Sequence, residues 1–174
     1  MTPWHPPAQC PHNNPVGPAR IMSTSDTGVY LLFIAAHGRI RVGRLGEQCF
    51  NGTYVYVGSA RGAGGLKRVC RHIEVAAGRR AGGRWHVDRL LALGKLEAAL
   101  FIRTREPVEC LLAQRVGGTA SLAVPGFGSS DCRCTGHLFR LDDGWDAALE
   151  AAARLGDYRW IISPVRPMAR KTSK

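Results

Sequence analysis

Hydrophobic positions along this chain follow two rhythms, one of strands and one of helices. Gly28-Val29-Tyr30-Leu31-Leu32-Phe33-Ile34-Ala35-Ala36 is an almost wholly apolar run, rich in β-formers and too short for a typical helix, which predicts a buried strand. His37-Gly38 reads as a turn, and Arg39-Ile40-Arg41-Val42 alternates charge with branched apolar residues, as a second, half-exposed strand does. Gly43, Gly46 and Asn51-Gly52 punctuate the path into Tyr54-Val55-Tyr56-Val57, a further strand closed by Gly58. These links are too short for a crossover helix, so the strands are expected to form an antiparallel meander.

Past a glycine-rich turn the period changes. Leu66, Val69, Cys70, Ile73 and Ala77 recur at helical spacing and predict a helix from about residue 65 to 77, with Arg68, Arg71 and His72 on its polar side. A shorter helix passes through His86-Val87-Asp88-Arg89-Leu90-Leu91 and can end at Gly94. Residues 96–103 alternate as a strand. Pro107 opens a helix over residues 108–116, with Glu106 and Glu109 where the helix dipole favours negative charge. Residues 117–131 form a long glycine- and serine-rich loop, 137–141 a last short strand, and 145–155 a helix of high intrinsic propensity. The pattern describes an α+β fold, a small antiparallel or mixed sheet flanked by helices, over residues 25–142, followed by a C-terminal helix and basic tail over 143–174. Residues 1–24 carry six prolines, Pro3, Pro6, Pro7, Pro11, Pro15 and Pro18, and almost no aliphatic side chains, so a disordered tail is expected there. Met22, just ahead of the first strand, offers an alternative translation start.

Composition narrows the class. A chain of 174 residues suits one domain with a core of ordinary size. No apolar run approaches the roughly 20 residues of a membrane-spanning helix, and no signal segment opens the chain. A soluble, cytoplasmic protein with no membrane partner is the expectation. The formal net charge of +11, from 24 Lys and Arg against 13 Asp and Glu, points to a polyanionic partner, because basic side chains displace counterions from phosphates. The six cysteines show no disulfide-scaffold pattern, so reduced thiols are expected.

Candidate chemistry gathers between Tyr54 and His72, where a strand, a glycine turn and a basic helix can set a phenol, a cation and an imidazole around one phosphate. Arg61, Lys67, Arg71, Arg79, Arg80 and His86 are candidate nucleic-acid contacts on and beside that helix. Glycines between Gly58 and Lys67 do not make a nucleotide-binding P-loop, because the Gly-x-x-x-x-Gly-Lys-Ser/Thr pattern is missing. Cys132, Cys134 and His137 offer soft metal ligands. Structural zinc usually takes four ligands in recognised pairs, so the spacing favours buried reduced thiols over a zinc site.

Gly28-Val29-Tyr30 followed by Tyr56-Val57-Gly58 resembles the two signature tripeptides of the GIY-YIG nuclease superfamily. The likeness continues through Ser59-Ala60 and the Arg68, Arg71, His72 succession. With the segments Trp85-His86-Val87-Asp88 and residues 126–134, the chain most resembles the DUF123 group, also called the Uri superfamily of predicted endonucleases, over roughly residues 28–141. The resemblance implies a divalent-metal-dependent endonuclease acting on DNA. Tyr30, Tyr56, Arg68, His72 and Glu109 would be catalytic, with Tyr56 and Tyr30 accepting or relaying a proton and Arg68 stabilising developing charge. Glu109 would hold a single Mg²⁺ or Mn²⁺. Two departures stand out: the Tyr30-to-Tyr56 interval is long, implying an extended hairpin, and no asparagine follows Glu109. The alternatives are a non-catalytic nucleic-acid-binding domain of the same fold and a zinc-stabilised interaction domain.

Overall fold

The computed structural model describes residues 22–164. The predicted tail lies outside the described residues up to residue 21, and so does the basic C-terminal tail. The apolar run at Gly28 continues without a break into one long strand, β1 (Gly28–Arg41), which returns through a short 3-10 turn at Gly43–Leu45 into β2 (Glu47–Ser59). His37-Gly38 is therefore not a turn. His37, Gly38 and Arg39 pair in unbroken register with Asn51, Phe50 and Cys49, and the His37 and Asn51 side chains hydrogen-bond at 2.8 Å. Ladder pairing on both sides overrides the local glycine signal, and the extended hairpin expected from the long interval between the tyrosines is present.

The hairpin is the centre of an open six-stranded antiparallel sheet. On one side β3 (Lys95–Arg103) pairs with β1, and β6 (Tyr158–Ile162) pairs with β3. On the other side β5 (Leu138–Arg140) pairs with β2, and the two-residue β4 (Ser121–Leu122) pairs with β5. Sequence patterning missed β4 and β6. Segment 143–164 supplies both α4 (Asp146–Ala153) and an edge strand to the common sheet and core.

Successive side chains of a strand point to opposite faces, and here both faces are covered. Tyr30, Leu32, Ile34, Tyr54 and Tyr56 pack beneath α1 (Lys67–Ala76) and α2 (His86–Leu93) through Leu66, Val69, Ile73, Leu90 and Leu91. Val29, Leu31, Phe33, Val55 and Val57 pack on the other face against α3 (Glu109–Gly117) and α4 through Leu112, Val116, Ala148 and Ala152. Double coverage explains why residues 29–34 read as continuous rather than alternating hydrophobicity. No helix among the described residues is long and apolar enough to cross a membrane.

Candidate active site

Tyr30 on β1 pairs with Gly58 on β2, and Tyr56 pairs with Leu32, so the two tyrosines lie diagonally on the same face with ring centroids 6.3 Å apart. The Tyr30 ring lies directly over Gly58. A Cβ at residue 58 would sit 2.3 Å from Tyr30 Cζ, so only glycine lets the phenol occupy this place. Gly128 plays the same part for Tyr56: it has φ +72° and an added Cβ would meet Tyr56 Cε2 at 2.7 Å.

Helix α1 contributes His72. Periodicity set His72 on the polar side with Arg68 and Arg71, but the imidazole is buried against β1 and its Nε2 lies 3.0 Å from Tyr30 Oη. The other nitrogen, Nδ1, is 3.3 Å from Asp88 Oδ1. A carboxylate only accepts, which puts the proton of a neutral imidazole on Nδ1 and leaves Nε2 to accept from the tyrosine hydroxyl. Burial lowers the His72 pKa, and Asp88 only partly offsets this, so the ring is neutral near pH 7.

Asp88 is fully buried and anchors the network. It accepts two hydrogen bonds from Arg71, both 2.9 Å, and backbone N–H groups of Gly83, Arg84 and Trp85 donate to Oδ2 at 3.1–3.2 Å. Burial alone would raise the carboxyl pKa, but His72, Arg71 and the backbone donors hold it well below the usual carboxylate range. The bond from the Trp85 N–H is ordinary helix-start chemistry, with Asp88 in the first turn of α2. Its grip on Arg71 and His72 joins two helices and carries no signal in local sequence. Arg71 also stacks on Trp85, 4.2 Å from the ring centroid, with Arg68 and Arg84 at 5.4 and 5.3 Å.

Arg68 donates to the Ser59 carbonyl at 2.9 Å, at the end of β2 where both tyrosines lie. Glu109 begins α3 on the other side of that sheet end. Both charges act on both phenols. Burial raises the Tyr30 and Tyr56 pKa values, Glu109 adds to the rise, and Arg68 only partly offsets it. The two phenols are thus held protonated, and the basic helix does not supply a field strong enough to ionise Tyr56. Glu109 Oε1 also lies 3.2 Å from His137 Nδ1, an ion-pair distance without hydrogen-bond geometry. Burial would lower the His137 pKa, but Glu109 and Cys132 together raise it.

A single carboxylate, completed by water and phosphate oxygens, is an ordinary magnesium donor set. Glu109 fits it: its side chain is 27% exposed, and the negative charge of Asp131 falls on the same tyrosine.

The candidate nucleic-acid contacts are more scattered. Arg61 is exposed and donates to the Arg105 carbonyl at 3.1 Å; Lys67 and Arg80 are exposed. Arg79 is tied to Glu74 and Arg71 to Asp88. His86 accepts the Gly128 N–H at 3.2 Å, and burial lowers its pKa, so it is an uncharged wall rather than a cation. That wall belongs to a cavity of about 440 Å³ shared with Arg44, Arg84, Trp85, Arg89 and Ser130. The cavity is not lined by the tyrosines.

Cys132, Cys134 and His137 come together as the sequence allowed, and α3 brings Cys110 to them. Cys110 was not foreseen, because it is remote from the others along the chain. Cys49, Cys110, Cys132 and Cys134 are free thiols, whereas Cys70 is disulfide-bonded, so the expectation of reduced cysteines fails at Cys70.

A family model described as "Domain of unknown function DUF123" matches residues 29–158. No curated protein and no solved structure matches the chain. With well over half its length covered, the chain belongs to the DUF123 family.

Proposed function

For this member of the DUF123 family, we propose a divalent-metal-dependent endonuclease of the GIY-YIG type that hydrolyses DNA phosphodiester bonds. The observation that carries the reading is the convergence of Tyr30, Tyr56, Arg68, His72 and Glu109, from β1, β2, α1 and α3, on one end of the sheet. Hydrolysis of a phosphodiester needs a base for the attacking water and a positive field at the phosphorus.

Tyr30 is the phenol with an outlet for its proton. As it accepts a proton from water it can pass its own to His72 Nε2, and Asp88 then faces the imidazolium that results. At rest the proton stays on Tyr30, since burial raises the phenol and lowers the imidazole. Tyr56 has no such acceptor beside it among the hydrogen bonds of the described residues, and acts as a donor toward a phosphate oxygen. Arg68 is the cation placed to meet charge that builds on the phosphate. Mg²⁺ or Mn²⁺ held by Glu109 would supply Lewis-acid stabilisation of the phosphate and leaving oxygen.

The test is nicking of supercoiled plasmid by purified protein with Mg²⁺ or Mn²⁺. Tyr30→Phe, Tyr56→Phe, Arg68→Ala, His72→Ala and Glu109→Ala should each lower the rate about a hundredfold or more. Equal residual cutting by all five variants and wild type would assign the activity to a contaminant and end the nuclease reading. One observation favours a second reading, binding without cleavage: Tyr30 is 2% and Tyr56 8% exposed. Tight DNA binding by wild type with no nicks under either metal would select it.

A further inference from the structure

We propose that Cys110, Cys132, Cys134 and His137 form a tetrahedral zinc site that clamps the β4–β5 connection to the first turn of α3. Their ligand atoms all lie within 4.8 Å of one another. Zinc with Zn–S of about 2.3 Å and Zn–N of about 2.0 Å needs ligand atoms roughly 3.5–3.8 Å apart. Cys132 Sγ and His137 Nε2 already stand 3.5 Å apart, and the widest pair must close by about 1 Å. All three cysteines are free thiols, and His137 is buried. Three sulfurs and one imidazole make a closed donor set that favours zinc over magnesium.

One further observation points to an ion rather than to chance crowding. His137 Nδ1 is buried without a hydrogen-bond partner in the described residues, yet faces Glu109 Oε1 at 3.2 Å. That is the arrangement in which a metal on Nε2 leaves Nδ1–H aimed at a carboxylate. Residues 123–137 contain no helix or strand, and a few backbone hydrogen bonds, among them Val57 N–H to the His137 carbonyl at 2.9 Å and His137 N–H to the Phe127 carbonyl at 2.7 Å, hold this connection beside Tyr56. Zinc would pin it there and, through Cys110, fix the adjacent Glu109.

The site is tested on the full chain by metal content and by cobalt. Protein produced with zinc supplied and then dialysed should retain about one zinc per chain, and Co²⁺ exchange should give sulfur-to-cobalt charge-transfer bands with the intense visible bands of a tetrahedral ion. Cys110→Ser and Cys134→Ser should weaken Co²⁺ binding at least a hundredfold, while Cys49→Ser, outside the cluster, leaves it unchanged. Zinc near zero with no tetrahedral cobalt spectrum in the wild type overturns the proposal, and so does full stoichiometry in both variants. If a serine variant fails to fold, the wild-type stoichiometry and spectrum still decide. Neither readout depends on nuclease activity.

Discussion

Replacing Asp88 by Asn removes one charge with almost no change in shape, and the hydrogen bonds around the carboxylate determine the cost. Oδ2 receives Arg71 and three backbone N–H groups, while Oδ1 receives Arg71 and His72. Whichever way the amide turns, its NH₂ meets donors, and the Arg71 guanidinium loses its counter-charge. Breaking a buried ion pair by removing one partner costs about 3–5 kcal/mol. Arg71 keeps 14% exposure, which sets the expected loss near the lower end, about 3 kcal/mol. In a chain of this size that lowers the melting midpoint by roughly 6–12 °C. Thermal unfolding followed by circular dichroism at pH 7 measures it, and a cycle with Arg71→Met should recover part of the loss, since the stranded cation is then gone. A midpoint within about 2 °C of wild type would refute the account of Asp88 as the network's anchor. The pH dependence has the same sign for both buried partners. His72 and Asp88 have folded pKa values below their unfolded ones, so each contributes stability above its unfolded value and loses it as pH falls. Wild-type stability should begin to decline below about pH 6.5 and decline again below about pH 4, and Asp88→Asn should flatten the second phase.

Two further predictions separate packing from charge. Gly58→Ala drives a methyl into the Tyr30 ring and should destabilise by about 2 kcal/mol or more in urea titration, whereas Gly62→Ala, where the nearest atom is Arg68 Nη2 at 3.6 Å, should cost under about 1 kcal/mol. Equal effects would mean that Gly58 is not reserved for the phenol. Arg44→Ala and Arg89→Ala, in the basic cavity beside His86, should weaken binding of random-sequence DNA and each lower the slope of log K against log salt by about 1; unchanged slopes would remove that cavity from the DNA path.

Much of this molecule was legible where local chemistry decides it. Helix α1 follows the spacing of Leu66, Val69, Cys70 and Ile73, and Gly94 ends α2 as expected. What was lost depends on tertiary partners. His37-Gly38 looked like a turn because a ladder partner cannot be seen in a dipeptide. Tyr158–Ile162 is rich in β-formers, but its short run followed a helix and led into a basic tail, and only the free edge of β3 makes it a strand. His72 was misassigned because an imidazole with both nitrogens engaged can be buried, which a hydrophobic pattern scores as polar. Cys110 entered the metal-ligand cluster only when α3 was set beside the loop preceding β5.

The strand order β4-β5-β2-β1-β3-β6 also bears on how the chain assembles as it is made. The first ladder to be completed is the central one, between neighbours in sequence. Afterwards β3 adds to the open side of β1, β5 to the open side of β2, and β6 to β3. Each of these additions meets an edge that is already exposed, so no finished ladder has to open for a later strand. The sheet can therefore grow outward from its local hairpin during synthesis, with the long-range closures left until their partners are in place.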